Sequence, residues 1–109
     1  MNNFSEKDWK LFREKLPSWQ EDYMEKLNKE YVEILTGEGN ASDKFWKLDE
    51  RIRNDKKSYG VIVQCRMSRS NRFLILASLL DEGAITLDDL EHFSDELKEI
   101  AKKYVNGQE

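Results

Sequence analysis

At 109 residues, 37% charged and 39% apolar, the chain is long enough for one domain with a dense charge cover over a core that three tryptophans and five phenylalanines can anchor, which argues against disorder. Its single cysteine, Cys65, excludes an intrachain disulfide and a cysteine-built zinc site, and no apolar run nears the roughly 18 residues of a membrane span. Net charge is −4 but unevenly spread: residues 51–72 hold seven bases against Asp55 alone, between acidic flanks.

The first helical segment opens at Ser5, where Ser5-Glu6-Lys7-Asp8 has the form of a capping box with Phe4 and Trp9 placed as a hydrophobic staple. It is expected to run to Leu16 and stop before Pro17, which disfavours helical geometry in its predecessor. A second helix is expected to be capped by Ser18, with Glu21 completing a box and Trp19, Tyr23, Leu27, Tyr31, Ile34 and Leu35 on one face. Gly37 reads as its left-handed cap, and "GEGNAS" as a loop.

A third helix starts near Ser42, carries Phe45, Trp46, Leu48 and Ile52, and fades through "RNDKKS". The fourth segment spans Tyr59 to Glu82. Its opening "YGVIVQC" is rich in β-branched residues, but a strand needs a partner that no other stretch offers, so a helix capped by Ser58 and closed by Gly83 is expected. Thr86 with Asp89 caps a fifth helix, on which Leu87, Leu90, Phe93, Leu97, Ile100, Ala101 and Tyr104 form an apolar stripe. The expectation is an all-α single domain over 1–109, with short disordered ends at 1–3 and 106–109. It is a compact bundle of four to five helices with the fourth helix central.

The stretch "LLDEGAITLDDLEHFSDELK", residues 79–98, resembles the short helical hairpin module called SHOCT: an apolar helix end, an acidic turn with Gly, Ile and Thr, then an acidic helix. The resemblance covers about a fifth of the chain and implies an interaction or oligomerisation element rather than a catalyst. It carries over no functional residue.

Catalytic chemistry needs a nucleophile with a base held beside it, and the sequence offers one histidine and one thiol. His92 falls opposite the Leu90–Phe93–Leu97 stripe, facing water, with Asp88 and Glu96 one turn away. One imidazole with two exposed carboxylates makes a poor metal site. Cys65 lies among Val61, Ile62 and Arg66 and reads as a packed structural thiol. No glycine-rich loop follows a strand, so phosphate-cradling motifs are absent. No catalytic residue, metal or cofactor is assigned.

Two features remain. Lys56, Lys57, Arg66, Arg69 and Arg72 make a basic surface suited to an anion or nucleic acid, although the chain's isoelectric point near 5.1 is unlike that of a nucleic-acid-binding domain. From Phe73 to Leu80 seven of eight residues are apolar and cover nearly the whole circumference of a helix, whereas one neighbour hides only a stripe. Phe73, Ile75, Leu76, Leu79 and Leu80 are therefore the candidate interface of a homodimer. The resulting expectation is a small non-catalytic interaction or regulatory protein, cytoplasmic and without a membrane segment, acting as a homodimer on an unidentified protein partner. The alternative is a nucleic-acid-binding regulator using residues 51–72.

Overall fold

The computed structural model describes residues 5–62 and 72–107. Four α-helices account for most of them: α1 (Glu6–Thr36), α2 (Ala41–Asp55), α3 (Arg72–Glu82) and α4 (Asp95–Val105), with a 3-10 turn at Leu87–Leu90 between the last two. Among the described residues there is no strand, so the all-α expectation holds.

Pro17 does not divide the first two segments as expected: α1 runs unbroken through it for 31 residues. Proline removes one bond of the helical ladder and crowds the carbonyl four residues back. Here it lies on the exposed side of the helix, where water can take the freed carbonyl. On the opposite side Leu16 and Trp19 are both buried, and continuing the helix keeps the pair in one core. Ser18, the expected cap, is simply an exposed residue within the helix.

The Ser5 cap is present, its hydroxyl accepting from the Asp8 amide at 3.0 Å, but the Asp8 carboxylate does not close the box. It turns inward, 2% exposed, and accepts from the Ser94 amide at 3.0 Å and the Ser94 hydroxyl at 2.6 Å. Ser94 in turn caps α4 by accepting from the Leu97 amide. That junction explains why the expected fifth helix is two pieces. Thr86 and Asp89 form their box, with the Thr86 amide donating to the Asp89 carboxylate at 2.8 Å, yet they start only one 3-10 turn. The chain then bends so that Phe93 stacks on Trp19 of α1, ring centroids 6.2 Å apart, and α4 restarts at Ser94. At its far end Asn106, expected to be disordered, caps α4 with its amide bonded to Lys102 and Tyr104 carbonyls.

Trp9, Phe12, Leu16 and Trp19, spaced three and four apart, present one stripe of α1 to Ile75, Leu76 and Leu79 of α3 and to Ile85, Leu90, Phe93, Leu97 and Ala101 beyond. Each such side chain contributes about 1.5–3 kcal/mol by leaving water. The segment 79–98 thus supplies Leu79, Ile85, Leu90, Phe93 and Leu97 to the core. Gly83, at φ +77°, closes α3 as expected; its neighbours Ala84 and Ile85 both return amides to the Leu79 carbonyl.

The second half of α1 leaves this bundle and pairs with α2 as an antiparallel arm. The turn between them is made by Gly39, at φ +128°, rather than by Gly37, whose φ of −77° is not the left-handed cap expected. α2 starts at Ala41, near Ser42 as expected, and Asn40 caps it by accepting from the Asp43 amide at 3.0 Å. The arm gives the molecule its length, 52 × 27 × 21 Å, and its radius of gyration of 16.3 Å, against ~13 Å for a near-spherical domain of about this size.

After α2, the helix expected from Tyr59 does not form over residues 59–62, which are a turn. The Gln20 side chain, itself buried, donates to the Tyr59 and Ile62 carbonyls at 2.9 and 2.6 Å. The two carboxylate oxygens of Glu82 accept the Tyr59 and Gly60 amides, each at 3.0 Å. Gly60 presses on the Tyr23 ring so closely that a Cβ there would overlap it. These long-range partners outbid the helical ladder. The Ser58 hydroxyl donates back to the Asp55 carbonyl instead of capping forward. The rest of "YGVIVQC", with Cys65, Arg66 and Arg69, lies outside the described residues.

Candidate interaction surface

Arg72, the one described member of the arginine series, does not face solvent. It begins α3 at 7% exposure, with its guanidinium 6.0 Å from the Trp9 ring centroid and 3.9 Å from Glu6. Lys56 and Lys57, at the end of α2, are exposed. Of the candidate dimer residues, Ile75, Leu76 and Leu79 are enclosed by the chain's own core at 0–2% exposure. Phe73 meets Tyr104 edge-on, and Leu80 packs against the core cluster. These α3 residues share one core cluster with residues of α1, the 3-10 turn and α4, more partners than periodicity alone reveals. Leu74 is the one apolar residue of this helix that stands well exposed. His92 is exposed as expected, but in a turn rather than on a helix, so Asp88 and Glu96 are not its helical neighbours. Among the described residues no three His, Cys, Asp or Glu side chains are grouped to hold a metal ion, and no helix is long and apolar enough to cross a membrane.

The surface that calls for explanation is on the arm. Phe45 and Trp46 are 60% and 62% exposed, and Val32 and Leu35 57% and 47%. The two aromatics pack edge-on against each other, centroids 4.9 Å apart, and no residue of α2 is buried. In the sequence Leu35 falls on one apolar face of its helix and Phe45 is among the apolar residues of the next, with nothing to mark either as exposed. What the sequence does not show is that only one neighbouring helix reaches them.

Polar contacts fix how the two helices of the arm face each other. Arg51 donates to Glu30 at 2.7 Å and approaches Asp55 at 3.4 Å, and its guanidinium lies 5.6 Å from the Tyr31 ring centroid. Tyr31 donates to Asp55 at 2.6 Å. Burial first, and then the Asp55 carboxylate that accepts its proton, push the Tyr31 phenol up to about 12. The Tyr23 phenol, nearer the base of the arm, is also raised, chiefly by burial and then by the Glu82 charge.

Glu30 and Arg51, together with a shallow groove lined by Glu33, Ile34, Lys44 and Lys47, mark one edge of the arm. At about 100° per residue, Leu35 and Val32 on α1 and Phe45 and Ile52 on α2 turn to the other edge. On that edge α1 shows Met24, Asn28, Tyr31, Val32 and Leu35, and α2 shows Ala41, Phe45, Leu48 and Ile52. None is charged, in a chain that is 37% charged. An uncharged strip two helices wide, carrying exposed aromatics, is what an interface core looks like before its partner arrives.

No family model matches the chain, and no curated protein or solved structure is similar to it.

Proposed function

We propose that the protein is a non-catalytic helical interaction protein that binds a macromolecular partner through the uncharged edge of the α1–α2 arm. The observation that carries this reading is the exposure of Phe45, Val32 and Leu35 on one structured, charge-free face, with Trp46 packed edge-on beside Phe45. Aromatic residues are enriched at the centres of interfaces, and leaving each such side chain in water forgoes roughly 1.5–3 kcal/mol of burial. The bundle end of the molecule acts as the mount that holds the arm out. The nucleic-acid alternative draws less support, because Arg72 is turned into the core and the apolar edge offers phosphates nothing.

A photo-reactive amino acid placed at Leu35, in cells that make the protein, is expected to give a covalent adduct heavier than the chain. The same group at Glu99, exposed on α4, should give none. Absence of an adduct from position 35 would overturn the reading. An adduct that nuclease shortens would transfer the surface to a nucleic acid.

A further inference from the structure

We propose that the occupant of this edge is a second copy of the chain: two arms packed edge to edge about a two-fold axis running along them, closing a four-helix bundle. The inference rests on the reading of the uncharged edge as an interaction surface, and it names the partner from the charges that rim that edge.

The rims carry complementary charge. At about 100° per residue, Glu21, Glu25 and Lys29 line the strip on the α1 side, and Asp49, Arg53 and Lys56 line it on the α2 side. A two-fold axis parallel to the arm sets α1 of one copy beside α2 of the other, so the mainly acidic rim meets the mainly basic one, with Lys29 within a turn of the height of Asp49. The heights agree as well. Because Glu30 is opposite Arg51 within the chain, Glu25 stands level with Lys56 and within a turn of Arg53, and the symmetry keeps those heights in the partner. Within one chain Glu25 points away from α2, so the match has no use inside the monomer. Arg53 already bonds Asp49 of its own helix at 2.9 Å, but a guanidinium with five donors keeps others for a second carboxylate.

The approach is open. Phe12, Leu16 and Trp19, through which α1 holds the bundle, lie about 100–160° around the helix from Leu35 and Val32, so among the described residues the bundle does not overhang the edge. Pairing would bury the half-exposed Tyr31, Leu48 and Ile52 together with Phe45, and give α2 the core residues it lacks alone. The patch is small, about 17 Å long and on the order of 400 Å² per copy, below the size of permanent dimers. The dimer is therefore of the reversible, concentration-dependent kind.

Sedimentation equilibrium from about 5 to about 500 µM is expected to show the mass rising from 13.0 kDa toward twice that value. Two variants test the pairing: Glu25→Lys, and Arg53→Glu combined with Lys56→Glu. Each alone sets like charges against each other at both symmetry-related rims and should weaken the dimer about tenfold or more. An equimolar mixture of the two matches both rims and should restore the parent's affinity, with circular dichroism unchanged throughout. A parent that stays monomeric at the highest concentration, or a mixture no tighter than either variant, overturns the proposal. The interaction reading fails separately, by the absence of any adduct from position 35. An adduct of other than twice the chain mass, with a monomeric parent, refutes self-pairing alone.

Discussion

Replacing Asp8 by alanine should destabilise the protein by about 3 kcal/mol, a large share of the roughly 5–15 kcal/mol of a small domain. The figure follows from what the carboxylate does. It is 2% exposed and accepts two bonds from Ser94, at 3.0 and 2.6 Å, across 86 residues of sequence. Bonds to a charged acceptor contribute about 1.5–3 kcal/mol each, and their loss leaves the Ser94 amide at the start of α4 without its acceptor. Ser94→Ala removes one of the two bonds and the α4 cap, the latter costing ~1 kcal/mol. The double variant isolates the shared part. A coupling of about 1–2 kcal/mol is expected in urea unfolding followed by tryptophan fluorescence, with an unchanged denaturant slope. Asp8→Asn, which keeps an acceptor oxygen but loses the charge, should recover part of the loss. If the two single changes add with a coupling under about 0.5 kcal/mol, the two ends of the chain are not joined by this carboxylate and the argument fails.

Pro17→Ala should stabilise the protein by about 1–2 kcal/mol, because the ~3 kcal/mol interior penalty exceeds the unfolded-state entropy that proline removes. A lower melting temperature in the variant would show that the proline shapes α1 to its core. The raised Tyr31 phenol carries a pH dependence. Its folded value of about 12 lies above the ordinary 10, so the folded state holds this proton more tightly. The stabilisation is complete below pH 10 and is lost as pH rises from 10 to about 12. Ultraviolet titration should find Tyr31→Phe missing a phenol that ionises at about 12; an unchanged titration curve would refute the Tyr31–Asp55 contact.

The sequence by itself determined the helical class, the Ser5 and Thr86 caps and the stop at Gly83, because each depends on a few neighbouring residues and on backbone stereochemistry that distance cannot alter. It also marked Trp9, Leu79 and Leu97 as apolar positions that bury. Where the chain departs from local preference, a distant partner is responsible. Pro17 stays helical because Leu16 and Trp19 share one core, and the turn at Tyr59–Ile62 answers to Gln20 and Glu82, 39 and 23 residues from Tyr59. Periodicity makes Ile75 and Phe45 equivalent apolar residues, yet one is 2% exposed and the other 60%. That difference is not local, since a helix face is buried only if enough neighbours arrive to cover it. α3 shares one core cluster with residues of α1, the 3-10 turn and α4, and α2 has no buried residue, so tertiary structure alone moves the candidate surface from the apolar fourth segment to the arm.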